Sequence, residues 1–93
     1  MTNTNILEVK KWNYGEYSSD NYGVNTLCFE EGPNKFWFSY ETLVAFKISG
    51  EFHIIKNYWG TTTGKHLNWI DGGDKKSRLT PEEFNAKLQE FLR

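Results

Sequence analysis

The sequence predicts an α+β fold: an antiparallel sheet of about five strands, with a short helix and a C-terminal helix packed on one face. Three observations predict it. Short alternating runs rich in Val, Ile, Phe, Tyr and Trp, separated by turn residues, fill the chain as far as Tyr58. The connections between most of them are shorter than the crossover of about a dozen residues that parallel strands need. After Gly60 the alternation gives way to helical spacing. At 93 residues the chain is expected to form a single domain over 1–93. Hydrophobic content is 38%, but aromatic residues make up 17%, and large rings close a small core with few residues.

Ile6 to Tyr14 reads as the first strand, with Ile6, Trp12 and Tyr14 sharing one face with Glu8 and Lys10, and Leu7 and Val9 on the other. Gly15 to Gly23 is turn-rich and polar, so a loop is expected. Val24 to Glu30 alternates, Leu27 and Phe29 opposing Val24, Thr26 and Cys28. Glu31-Gly32-Pro33-Asn34 reverses the chain. Lys35 to Tyr40 then sets Phe36, Phe38 and Tyr40 against Trp37 and Ser39. Thr42 to Ile48 sets Val44, Phe46 and Ile48 against Leu43 and Ala45. Ser49-Gly50 turns into a fifth strand, Phe52 to Tyr58.

Thr61-Thr62-Thr63-Gly64 is poor helix material but good capping material. A helix of one or two turns is therefore predicted over Lys65 to Ile70, closed by Gly72-Gly73. Asp74 to Arg78 reads as a charged loop. Thr80-Pro81-Glu82-Glu83 is a capping box with proline at the first helical position. Phe84, Leu88, Phe91 and Leu92 follow as one apolar stripe.

Composition excludes some functions and leaves others open. The formal charge is −1 and the pI about 6.1, so bulk charge does not point to nucleic acid. One cysteine, Cys28, allows no internal disulfide and sits in an apolar strand pattern, as a small buried hydrophobe would. A cytoplasmic location is expected, with no signal peptide and no membrane-spanning run. His53 and His66 lie on different elements with no ligand set at recognisable spacing. No metal and no cofactor are expected, and no catalytic pattern is visible, so an enzyme is not expected.

Local charge is uneven. Tyr14 to Phe52 holds six acids against two lysines, net −4; His53 to Arg78 holds five bases against two acids, net +3. In the second stretch Lys56, Tyr58, Trp59, Thr63, Lys65, His66, Lys75, Lys76 and Arg78 have the composition of an anion or nucleic-acid surface, where charge meets phosphate and rings stack on bases. Thr61 to His66 at a helix start would add free backbone N–H groups, although the spacing is not that of a P-loop. The bland alternative has the threonines capping and the aromatics in the core. In the acidic half, Glu16, Asp20, Glu30 and Glu31, with Trp37, form a candidate protein-binding surface. Such a surface can imitate phosphate spacing and occupy a partner's nucleic-acid groove. Its bland alternative is solvation alone.

The segment Trp59-Gly60-Thr61-Thr62-Thr63-Gly64-Lys65-His66-Leu67-Asn68, the loop ending Ser77-Arg78-Leu79, and the strand Tyr40 to Lys47 resemble a family of small bacteriophage and mobile-element proteins. The likeness covers about the last two-thirds of the chain and transfers no catalytic residue. It implies an intracellular accessory role. A non-enzymatic protein that binds and inhibits a host protein is the leading expectation, the target being a nucleic-acid-handling defence effector as for anti-CRISPR proteins. Direct nucleic-acid binding through residues 53–78 is the alternative.

Overall fold

The computed structural model describes residues 9–17 and 20–92, with backbone alone for Val9, Asp20 and Asn21. Five consecutive strands form one antiparallel sheet in the order β1-β2-β3-β4-β5. They are β1 Val9–Trp12, β2 Thr26–Glu31, β3 Asn34–Ser39, β4 Thr42–Ile48 and β5 Glu51–Ile54. The Ile6 to Glu8 part of the predicted first strand lies outside the described residues.

Two of the hairpin turns have a cause in their own residues. Gly32 at φ 58 followed by Pro33 closes the two-residue β2–β3 hairpin, a backbone that glycine adopts without strain. Ser49 and Gly50, at φ 53 and 83, close β4–β5 with both central residues left-handed, which matches the strand twist.

One turn of helix, α1 (Asp20–Gly23), interrupts the stretch expected to be a loop. It ends where the buried Thr26 hydroxyl sits 2.8 Å from the Gly23 carbonyl and 3.0 Å from that of Tyr14. The Asn13 amide donates to the Thr26 carbonyl, and the Tyr14 hydroxyl donates to the Phe38 carbonyl at 2.9 Å. The segment before β2 is thus pinned to the sheet by hydrogen bonds rather than by apolar spacing.

The register makes two adjacent rows across all five strands on one face. Lys10, Glu30, Lys35, Lys47 and Phe52 form one row; Trp12, Cys28, Trp37, Ala45 and Ile54 form the next. The opposite face carries Phe29, Phe36, Phe46 and His53. A bulge changes the expected alternation of β4. Trp37 pairs with Ala45 but Phe38 pairs with Leu43, so Val44 is the extra residue and Leu43 turns to the Phe46 side.

β5 ends at Ile54, short of the predicted Tyr58. Beyond it Ile55 makes a parallel bridge to Leu79, with hydrogen bonds from Leu79 N to Ile54 O and Lys56 N to Leu79 O, each 2.8 Å. A parallel pairing requires a crossover, and α2 (Thr61–Asp71) is that crossover. After Leu79 the chain enters α3 (Pro81–Leu92). Its capping box forms as expected: Thr80 N donates to Glu83 Oε1 at 2.9 Å, and Glu83 N to Thr80 Oγ1 at 3.2 Å. Phe84 and Phe91 of α3 stand edge-on to Phe46, at 5.2 and 5.9 Å between centroids. The core joins Val44, Ala45, Phe46, Ile54, Ile55, Leu67 and Phe84. α3 therefore covers the Phe46 face, while α2 meets the other face through Ser39.

Candidate functional site

The sequence predicts that α2 starts at Lys65 under a threonine cap; the helix starts four residues earlier. Gly60, at φ −86, is the N-cap and no side chain caps it; the first helical bond runs from Gly64 N to Gly60 O at 3.1 Å. The entry is shaped instead by Asn57, whose Oδ1 accepts from Trp59 N at 2.8 Å and whose amide donates to Gly60 O at 3.3 Å. The three threonines form the first turn. Lys65 and His66 lie in the second turn, away from the free amides at the helix start.

The helix phase turns Thr63, His66 and Leu67 inward. His66 is fully buried, with Tyr14, Tyr17 and Tyr40 around its ring at centroid distances of 6.0, 5.5 and 6.2 Å. Its Nε2 is 2.8 Å from the Tyr22 carbonyl, to which it donates. That fixes the other nitrogen as an acceptor in the neutral ring. The Ser39 hydroxyl, 2.7 Å from Nδ1, donates to it, and Thr63 in turn donates to Ser39 across 2.9 Å. One chain of hydrogen bonds thus runs from α2 through β3 and back through α2 to α1. Burial holds the His66 pKa below its ordinary value, outweighing the Tyr22 carbonyl that favours the charged ring. The same burial pushes the Tyr17 hydroxyl up to about 12 and the Tyr14 hydroxyl further still.

A hydroxyl against an imidazole is the arrangement that activates a nucleophile. Here Ser39 is 2% exposed and His66 0%, so no reactant approaches either atom. The pair satisfies buried polar groups and ties α2 to the sheet. Ser39, Tyr14 and Tyr22 escape the sequence reading. The one available signal is that Ser39 shares the Trp37 face of β3, at the strand end nearest α2.

Arg78 is also interior. It makes a two-pronged ion pair with Asp71, Nε to Oδ2 at 2.7 Å and an Nη to Oδ1 at 2.9 Å, and donates to Asn68 Oδ1 at 3.0 Å. Burial pushes the Asp71 carboxyl up, but the Arg78 guanidinium and the Gly73 amide outweigh it and leave Asp71 below the usual carboxylate range. Thr63, His66 and Arg78 therefore leave the proposed anion-binding set, because the interior already uses their polar atoms. Lys56, Tyr58, Trp59, Lys65, Lys75 and Lys76 remain exposed. Lys56 and Lys75 line one cleft with Asn57, Gly64 and Asn68 above the Arg78 ion pair. Lys65 reaches back over the Tyr22 ring at 5.3 Å. Lys75 and Lys76 sit on a short 3-10 turn, Lys75–Ser77, where an open loop was expected.

The acidic set does not assemble. Glu16 lies beside Tyr17, Lys65 and Trp69 of the α2 region. Glu31 sits at the far end of the sheet, next to the β2–β3 turn. Glu30 is taken by Lys35 at 3.5 Å. Asp20 opens α1, and its side chain is not among those described. Trp37 is half-buried, edge-on to Phe52 at 5.6 Å. Cys28 is buried as expected, its thiol pushed up to about 11 chiefly by desolvation. Among the described residues no three His, Cys, Asp or Glu side chains gather as a metal-ligand set, and no helix is long and apolar enough to cross a membrane.

This frame, a meandering sheet with one crossover helix and a capped terminal helix, defines a small α+β domain. Residues 5–86 match the model of a family of unknown function, DUF8033, and the chain belongs to that family. The match takes in all five strands, α2 and the first half of α3. Neither a curated protein nor a solved structure matches the chain.

Proposed function

We propose that this chain is a non-enzymatic nucleic-acid-binding module acting through the surface formed by Lys56, Tyr58, Trp59, Lys65, Lys75 and Lys76. The observation that carries the reading is what stays outside once the interior has taken Thr63, His66 and Arg78. Four lysines remain exposed with Tyr58 and Trp59, which are 57% and 43% exposed. Lysines at a cleft neutralise backbone phosphates, and open rings beside them stack on bases. The test is anisotropy of labelled oligonucleotides at low salt, followed by a salt titration. Affinity is expected to fall steeply with salt. Lys75→Ala with Lys76→Ala should flatten the logarithmic slope by about two, one for each phosphate no longer neutralised. No binding at low salt would overturn the reading.

A second reading keeps the expected phage or mobile-element role, an anti-CRISPR-like protein that binds and inhibits a host protein. Dispersal of Glu16, Glu30 and Glu31 removes the phosphate-mimic argument for it. What favours it is the cleft lined by Asn13, Thr26, Leu27 and Thr42 and rimmed by Val24 and Tyr40, which are 69% and 53% exposed. Exposed apolar side chains beside a concave surface are a common mark of a protein interaction site. A one-to-one complex with a host protein, abolished by Val24→Glu, would support it; a complex indifferent to that change would count against this cleft. Either role is intracellular, and we place the chain in the cytoplasm.

A further inference from the structure

The sheet face that α2 leaves open carries rings and lysines in register. Trp12 and Phe52 are each 39% exposed, and Trp37 stands half-buried between them. The row of Trp12, Cys28, Trp37, Ala45 and Ile54 alternates large and small. Cys28 and Ala45, the small members of that row, are fully buried, whereas both tryptophans remain partly open. Trp37 meets Phe52 edge-on, with an interplanar angle of 82°. The result is a shallow aromatic floor rather than a groove.

The neighbouring row supplies charge. Lys10, Lys35 and Lys47 stand against one acid, Glu30, among the described residues of that row. Lys35 and Lys47 are direct cross-strand partners. Like charges directly opposite destabilise a sheet, and among the described residues Glu30 is ion-paired with Lys35. Folding gains nothing from this pair. A bound polyanion relieves it, and the rings alongside ask for flat, unsaturated groups.

We infer that this face is a stacking platform for single-stranded nucleic acid, with bases on Trp12, Trp37 and Phe52 and phosphates on Lys10, Lys35 and Lys47. The inference rests on the nucleic-acid reading above, but uses a different surface and adds strand preference. A duplex keeps its bases stacked inside and offers nothing to the floor, whereas a single strand can splay its bases onto it.

The experiment titrates the full chain with labelled oligo(dT), and with a duplex of the same length, at low salt. Intrinsic tryptophan fluorescence is followed in parallel. Oligo(dT) is expected to bind more tightly than the duplex and to quench tryptophan emission. Trp12→Leu and Phe52→Leu should each weaken oligo(dT) by about tenfold and leave duplex binding unchanged. Lys47→Gln, an exposed change that leaves the rings in place and relieves the repulsion from Lys35, should weaken oligo(dT) with a melting temperature no lower than the parent's. Equal affinity for strand and duplex would overturn the platform, as would ring variants that bind like the parent. Polyglutamate competing as well as oligo(dT) would reduce the face to a general anion site and overturn it too. Binding that ignores Lys75→Ala with Lys76→Ala but disappears with Trp12→Leu would remove the segment surface and leave the platform. Absence of any oligonucleotide binding would remove both.

Discussion

His66 is held neutral by its surroundings. Its Nε2–H is committed to the Tyr22 carbonyl, and its Nδ1 receives the Ser39 hydroxyl. A second proton would place a charge among three tyrosine rings with no carboxylate among its hydrogen-bond partners. The unfolded chain accepts that proton near the ordinary histidine value of 6.5, while the folded chain resists it. In the window below 6.5 the unfolded state therefore binds more protons, and stability falls as pH falls. Thermal melts from pH 8 down to 5 should show the melting temperature dropping once the pH passes about 6.5. His66→Gln should start from a lower melting temperature and lose that part of the slope. A parent melting temperature that is flat across the interval would show that the ring is not held neutral. Cys28 belongs to the same class of residue: burial pushes its thiol up to about 11, which makes it packing rather than chemistry.

At the level of elements, the two helices differ in how openly the sequence announces them. α3 declares itself, with a cap, a proline, a reciprocal glutamate and four apolar residues at helical spacing. Both capping hydrogen bonds form. Thr80→Ala removes one of them and should cost about 1 kcal/mol. In a domain of this size that lowers the melting temperature by about 4–8 °C; an unchanged value would mean that the box contributes nothing. α2 hides its inward stripe, because two of its members are Thr63 and His66 rather than aliphatic residues. Their burial depends on Ser39, which is distant in sequence, so spacing alone marks them as surface. The threonine run likewise suggests a cap, whereas Gly60 and the Asn57 side chain supply the entry. The hairpins are legible because Gly32-Pro33 and Ser49-Gly50 set their own backbone. The β4 bulge is not, since Val44, Ala45 and Phe46 are all buried and their order in sequence does not say which residue is extra.

For the whole molecule, the decisive join is where the crossover returns to the sheet. The five strands follow one another as neighbours; short turns order β2 to β5, and β1 is joined by a longer stretch that Tyr14 and Thr26 pin to the sheet. Leu79 must come back from a distance, across α2, to sit beside Ile55 and launch α3 onto the Phe46 face. Arg78 anchors that return, fastening the residue before Leu79 to Asp71 and Asn68 of α2. The Arg78 and Asp71 side chains are 4% and 5% exposed. Removing one member of such a pair leaves the other charge buried alone and typically costs about 3–5 kcal/mol. Net stabilities lie at about 5–15 kcal/mol, so Arg78→Ala should unfold a substantial fraction of the protein at modest denaturant. Arg78→Lys keeps the charge but not the two-pronged geometry and should fall between. The pH dependence has its own sign. The folded Asp71 value lies below the ordinary 3.8, so the contribution is complete above that value and is lost as pH falls through the folded one. Urea melts at pH 7 and pH 3 should therefore differ less for Arg78→Ala than for the parent. The same variants separate architecture from binding. Arg78→Lys, assayed where it is fully folded, should bind oligonucleotides as the parent does, because its side chain faces Asp71 and Asn68 rather than the solvent. A large loss of affinity in folded Arg78→Lys would mean that this arginine leaves its ion pair to meet a ligand.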